Sequence, residues 1–446
     1  MNKTNLELDH ITIPLGKTVH GLIFLYILTI PFQTFGLSFM GLEFGLPELV
    51  SLILAPLAII QIVHSGQKLW IDKLDFFVFG WVFANILAGW NSGFSSIVVT
   101  EIIKTAYLVG LYMILKWTIS LEMVFMIPKF IICSSLLAAL TGITGYVLGY
   151  LGIDTALSIT RPFPYSIVNV IQAKGFTPTP NMLTSIIMMG VFFQLPKLSN
   201  NKISPNGKDY LILLILLIGI FLTFSKTIVC LLIGIILILY LNYKSILSYT
   251  WRLATKFSVA SLFTIYILGT HFIIVEKDQN SELLKGDYIA GSALIETDNY
   301  SIYPSQYWSL KKISLEAISQ SFPWGLGPGK FNGFAHEFKK NDAYSTHVPY
   351  PDPHSTYLGT LAENGLLGLI AFVGIIFFIT KKSLRILRER SPDPYFLICL
   401  PITFIAIGIE AVSTDVINFR HYWILLVLLV CTFQNVKSTS SKSLNL

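Results

Sequence analysis

DYLILLILLIGIFLTFSKTIVCLLIGIILILYLNY, residues 209–243, carries one charged side chain, Lys226, between Leu211 and Leu241. Two apolar runs, 209–225 and 227–243, meet at that lysine. A membrane-spanning helix needs about 20 mostly apolar residues, so the pattern predicts two crossings joined by a hairpin that turns at one face of a bilayer. A lysine at the bilayer centre costs about 2.5–3.5 kcal/mol on insertion scales. Lys226 must therefore snorkel outward or face a wet cavity.

Working outward with the same criterion predicts ten further spans, near 19–39, 46–64, 74–92, 97–115, 123–150, 181–196, 257–275, 355–379, 395–414 and 421–436. The fold class is all-α: a polytopic transmembrane bundle of about twelve helices. Composition agrees, because 53% hydrophobic and 13% charged residues over 446 residues describe a membrane protein, not a set of soluble domains. The net charge of +6 lies in short loops rather than in a nucleic-acid-binding stripe. Those loops hold Lys68 and Lys73, then Lys116, then Lys197, Lys202 and Lys208, then Lys244, Arg252 and Lys256, and finally Lys381, Lys382, Arg385, Arg388 and Arg390. By the positive-inside rule they are cytoplasmic, with both termini.

The opposite loops are nearly free of lysine and arginine where they are short. Two are longer, 151–180 and 276–354, and the second, between predicted spans nine and ten, is long enough for small helices. Loops of this kind carry function. No repeat or internal low-complexity tract divides the chain, so residues 1–446 read as a single membrane domain. The polar start MNKTNLELDHITIPLGKTVH lacks a signal-peptide pattern, so the first span is expected to stay. Cys133, Cys230, Cys399 and Cys431 all fall in apolar runs, where they read as small hydrophobes, not as metal ligands or disulfides.

The predicted topology brings scattered polar residues to one face. Arg161 and Lys174 lie in the first long outer loop, Glu101 and Lys104 near the outer end of the fourth span, and Glu410, Asp415, Arg420 and His421 near the last two. Glu101 and Lys104 are spaced to pair on a helix. Cations gathered there suit an anionic lipid headgroup such as a diphosphate, whose lost hydration they replace. In the large loop, QYWSLKKISLEAISQ (306–320) places Leu310, Ile313, Ala317 and Ile318 at helical spacing, as in an amphipathic interfacial helix. PWGLGPGK (323–330) supplies Gly325, Gly327 and Gly329 for a tight turn. That turn is read as structural, since it lacks a full phosphate-loop pattern. The Pro-rich PYPDPH then delivers His354 to the mouth of the tenth span, where an imidazole can accept a proton from a hydroxyl. Its bland alternative is an interfacial residue capping a helix. Glu363 lies nine residues on, about half a turn away on a regular helix, so it is not paired with His354. It is free to hold a neighbouring helix, with Gly365 and Gly368 allowing close packing.

HSTYLGTLAENGLLG (354–368), PWGLGPGKF (323–331), LTFSK (222–226) and KGFTPTPN (174–181) together resemble the O-antigen ligase and polymerase superfamily, mainly over 175–380. The resemblance implies a metal-independent, inverting membrane glycosyltransferase with no cofactor, in the cytoplasmic (inner) membrane of a bacterium. Its donor would be a glycan on a polyprenyl (undecaprenyl) diphosphate carrier, and its acceptor a hydroxyl of a glycan, of lipid A core or of another molecule. The family's histidine matches His354, as acceptor base or acceptor-positioning group, and the Pro-Asn stretch ends at Asn181. The family's basic residue after serine matches Lys226, where arginine is usual. The arginine usually found before the loop helix has no counterpart near Gln306 to Trp308, which leaves Lys311 and Lys312 as stand-ins. Arg161, Lys174, Lys226, Lys311 and Lys312 are thus the diphosphate-binding candidates, with Glu363, Asn181, Gly327 and Gly329 in support. A lipid-linked glycan flippase or other twelve-span transporter is the main alternative, although transporters commonly show duplicated halves and midplane sites. A non-catalytic assembly scaffold is a third.

Overall fold

A computed structural model describes residues 3–39, 42–66, 69–162, 169–199, 206–243, 248–276, 292–341, 351–388 and 394–443. A helix covers each of the twelve apolar runs: α1 (Lys3–Thr29), α2 (Leu46–Ser65), α3 (Lys73–Ser92), α4 (Ser96–Thr118), α5 (Leu121–Tyr150), α6 (Pro180–Ser199), α7 (Gly207–Phe221), α8 (Ile228–Tyr243), α9 (Tyr249–His271), α12 (Thr356–Arg388), α13 (Pro394–Glu410) and α14 (Arg420–Ser443). Among the described residues, two further helices, α10 (Gln306–Ser321) and α11 (Phe331–Asn341), lie in the large loop. Among the described residues six helices, α2 to α5, α9 and α12, are long and apolar enough to cross a membrane, and the chain is a multi-pass membrane protein.

The expected twelve full crossings exceed what helix length carries. The 15 residues of α7 and 16 of α8 rise only about 22–24 Å, against a hydrocarbon core of about 30 Å. Expected span ends also move. α1 stops at Thr29, ahead of Pro31, and the chain turns into an antiparallel hairpin of β1 (Gly36–Phe39) and β2 (Leu42–Gly45). The end of the expected ninth span is strand β5 (Phe272–Glu276), where Ile273, Ile274 and Val275 favour extended chain. Within the first long loop, β3 (Ser158–Pro162) pairs with β4 (Asn169–Ala173). In the second, β7 (Tyr300–Pro304) lies between β5 and the short β6 (Ile295–Glu296).

Burial sorts the helices into layers. Every residue from Tyr422 to Cys431 in α14 is buried, and α6 is buried almost continuously from Met182 to Phe193, so these two form the centre of the bundle. A helix apolar all round belongs there. α9 turns most of its surface outward. α3 packs along α12, where a Cβ on Gly374 would stand 1.9 Å from Phe77 Cδ1. Small residues let helix backbones approach in this way. Cys230, Cys399 and Cys431 are buried, Cys133 is exposed, and all four are free thiols.

The two ends of the bundle differ in charge chemistry. At one end Asp72 caps α3 and ion-pairs Lys382 at 2.5 Å, while the buried Asp75 pairs with Lys116 and accepts from Tyr112 Oη at 2.8 Å. Lys116, expected in a loop, is thus inside α4 with its charge fully compensated. The other end gathers the α7–α8 turn, the C-termini of α9 and α13, the N-termini of α12 and α14, and the large loop. At this end Gly365 breaks α12 with φ 67° and ψ −164°. A Cβ at Gly365 would sit 2.2 Å from Pro323 O, so the glycine admits the 322–330 turn against the helix.

Candidate functional site

Lys226 tops a turn whose other polar side chains are each tied down. Thr223 shares a 2.8 Å hydrogen bond with Thr184, Ser225 Oγ donates to Asn181 Oδ1 at 2.7 Å, and Thr227 Oγ1 donates to the buried Glu410 at 3.3 Å. Leu222 O accepts from Ala173 N at 2.8 Å. Asn181, at the start of α6, therefore shapes the turn rather than reaching a ligand. Phe224 adopts φ 47°, a left-handed conformation that costs a bulky residue of order 1–3 kcal/mol. With its neighbours committed, Lys226 projects from the turn, its Nζ 4.7 Å from the centroid of the Tyr307 ring. The lysine keeps open surface while protein crowds it, and this desolvation lowers its ammonium pKa to about 8.

His354 meets the same ring. Its imidazole centroid lies 4.6 Å from that of Tyr307, at an interplanar angle of 69°. His354 also has a left-handed φ of 43°, held by Asp352, whose Oδ1 accepts from His354 N at 2.6 Å and lies 3.2 Å from Nδ1. An Nδ1–H facing that carboxylate leaves Nε2 as the proton acceptor and stabilises the imidazolium once formed. Just beyond, Thr356 fastens the chain to the α13–α14 connection. Its N donates to Ala411 O at 2.9 Å, and its Oγ1 bonds both Thr414 O and Val416 N at 2.9 Å. In that connection Asp415 accepts from Asn418 Nδ2 at 2.8 Å, and burial, reinforced by nearby Asp352, raises its pKa to about 6.

Tyr307 and Lys311 share one face of α10, one turn apart. Lys311 Nζ donates to Val412 O at 3.0 Å, and burial lowers its pKa to about 8. Lys226 and Lys311 both lie close enough to His271 to act on it electrostatically. Two partly desolvated ammonium groups, an Asp-supported imidazole and an aromatic wall thus occupy one corner of the molecule.

The other candidates sit elsewhere. Lys312 lies about 100° round the helix from Lys311 and is exposed, so the two expected stand-ins divide, with Lys311 alone on the site face. Lys174 is half-buried, and among the described residues its ammonium makes no hydrogen bond or ion pair; its backbone N donates to Leu157 O at 2.9 Å. The backbone of Arg161 is opposite Val170 in the β3–β4 hairpin, and its side chain lies outside the described residues. The Arg420 guanidinium is committed to Glu48 at 2.8 Å and Gln33 at 2.7 Å, and His421 is buried against Ser185 at 3.0 Å. Neither joins the cations around Tyr307. Lys104 pairs with Glu101 at 2.7 Å on the surface of α4.

The glycine-rich turn and Glu363 form a buckle. Gly327 N donates to Glu363 O at 2.9 Å, Leu326 N to Ala362 O at 2.8 Å, and Glu363 Oε1 accepts from Phe331 N at 3.1 Å, capping α11. A Cβ on Gly327 would lie 2.1 Å from Ser92 Oγ, and one on Gly329 2.8 Å from Ile97 Cγ2. The Gly327 amide is used within the protein, so the turn docks the loop on α3, α4 and α12.

Asp352 and Tyr307 were not among the residues singled out from sequence. The first carried a signal, since an aspartate two residues before His354 is the spacing of a side-chain-to-backbone turn. Tyr307 carried none that separates it from the other aromatic residues of the chain. No curated protein matches the chain. Residues 211–373, a region that includes Lys226, Tyr307, Lys311, Asp352 and His354, match the model of the family described as O-Antigen ligase, so this part of the chain is similar to that family.

Proposed function

We propose that this protein is a glycosyltransferase of cell-surface polysaccharide assembly, moving a glycan from a polyprenyl diphosphate carrier to an acceptor hydroxyl. The observation that supports it is the meeting of Lys226 and His354 at the ring of Tyr307. The His354 Nε2 takes the acceptor's hydroxyl proton as that oxygen attacks the anomeric carbon. The bond from that carbon to the diphosphate oxygen breaks with inversion, and its electron pair leaves on the diphosphate. Lys226 and Lys311 hold the departing anion, and Asp352 steadies the imidazolium. A diphosphate is already a stabilised leaving group, so cations and one base suffice and the chemistry calls for no metal ion. The site faces the exoplasm of a bacterial cytoplasmic membrane, with both termini in the cytosol, in keeping with the basic loops at the far end of the bundle.

The test supplies the purified full-length protein with an undecaprenyl diphosphate glycan, with and without a lipid A core acceptor, and resolves the products by mass. Acceptor-dependent single transfer identifies a ligase and chain extension a polymerase, and both must vanish in His354→Ala at unchanged protein level. A donor left intact under both conditions refutes the proposal.

A further inference from the structure

We infer that Tyr307 is a positioning residue for glycan transfer, holding the donor-side Lys226 ammonium and the acceptor-side His354 imidazole in register through contact with one aromatic ring. The inference rests on the proposed transfer reaction and adds a residue to it. Lys226 and His354 come from segments more than a hundred residues apart, the α7–α8 turn and the approach to α12, and each contacts the same ring, at 4.7 Å and 4.6 Å.

The ring itself is rigidly mounted. Immediately before α10, Ser305 N donates to His271 O at 2.8 Å and Ser305 Oγ donates to Thr270 O at 2.7 Å. The β5–β7 ladder pairs Phe272 with Pro304, closing the frame between α9 and α10. Leu310, Ile313 and Ala317 pack the buried side of α10 into a cluster with Phe331, Ala335 and Ala362. Tyr307 therefore keeps a fixed place relative to the C-terminal end of α9 and the start of α12.

A lysine side chain has four rotatable bonds and loses much rotamer entropy when fixed. An aromatic face that attracts the ammonium confines it before a diphosphate arrives. The edge-to-face contact acts likewise on the imidazole plane, beside the Asp352 carboxylate at Nδ1. One turn further along, Lys311 extends the donor side of the same helix face. The phenol oxygen has no part in this account; the ring does the positioning.

A double-mutant cycle read by binding tests the inference. Undecaprenyl diphosphate affinity is measured for full-length wild type, Lys226→Ala, Tyr307→Leu, Tyr307→Phe and the Lys226→Ala/Tyr307→Leu pair, each checked for monodisperse elution. Removing a cation–π partner weakens affinity by roughly three- to thirty-fold. Tyr307→Leu is expected to show that loss, Tyr307→Phe to stay within about two-fold of wild type, and Tyr307→Leu to add almost nothing once Lys226 is alanine. Should Tyr307→Leu not elute cleanly, Tyr307→Met, closer in volume, takes its place. Losses that simply multiply in the pair overturn the inference, as does a Tyr307→Phe loss equal to that of Tyr307→Leu. A wild-type protein that binds no undecaprenyl diphosphate overturns the transfer reaction first and this inference with it.

Discussion

Raising the pH through 8 will remove the charge from Lys226 and Lys311 together, and transfer should fail on that alkaline limb. Both ammonium groups have pKa values lowered to about 8 by desolvation. The charged form binds the diphosphate, and for a lowered lysine it is present below the pKa and lost as pH rises through it. Each lysine is charged in about 90% of molecules at pH 7 and in about 10% at pH 9. Dependence on one lysine predicts roughly a ten-fold fall in kcat/KM between those pH values, and dependence on both about a hundred-fold. Since kcat/KM reports the free enzyme, kcat at saturating donor should fall less, because a bound dianion raises the pKa of each lysine it touches. The assay is initial-rate transfer from an undecaprenyl diphosphate glycan at varied donor concentration from pH 6 to 10. Lys226→Arg supplies the decisive comparison, because a guanidinium stays charged throughout. That variant should lose one of the two alkaline steps and keep the step belonging to Lys311. A profile flat to pH 10 in wild type, or an unchanged limb in Lys226→Arg, would refute the assignment of these lysines to the donor.

Asp352→Asn, which keeps the His354 N contact but removes the charge beside Nδ1, should lower kcat by about ten-fold with little change in donor KM, measured by steady-state transfer. Gly327→Ala should destabilise the loop by about 1–3 kcal/mol, because φ is 101° there and the new Cβ meets Ser92; thermal unfolding and limited proteolysis of the 292–341 region will show it. Lys116→Met should cost about 3–5 kcal/mol by stranding the Asp75 carboxylate in the bundle, and adding Asp75→Asn should restore most of that stability in a denaturation series.

The apolar runs were legible because a bilayer core accepts little else, and each run contains a helix over much of its length. Helix ends were not legible, because they depend on partners far along the chain. α9 yields to β5 at Phe272 only because β7, some thirty residues later, is there to pair with it. Lys226 and His354 stood out for a related reason: a lone cation in an apolar hairpin and an imidazole at a span mouth each need an environment that composition alone does not provide. Arg420 looked like a further site cation, but its partner Glu48 lies 372 residues away, and that distance hid the pairing. Tyr307 stayed hidden for the same kind of reason. Its role follows from how α10 is bolted to α9, and no spacing along the sequence records that register.

The substitution of lysine for the arginine usual after the serine then acquires a physical meaning. The turn beneath Lys226 is held by Asn181, Thr184 and Glu410 through Ser225, Thr223 and Thr227, none of which contacts the lysine's charged end through these bonds. The scaffold is therefore indifferent to which cation tops it, and the difference lies in what the cation does. A guanidinium binds a phosphate as a fork and never titrates, whereas an ammonium is a point charge that desolvation tunes. Confinement by the Tyr307 ring supplies some of the orientation that a fork would have provided, and Lys311 supplies a second point of attachment. On the proposed transfer reaction, two lysines and a ring would replace bidentate geometry with a pair of titratable contacts, and donor binding is then expected to depend on pH where an arginine site would not.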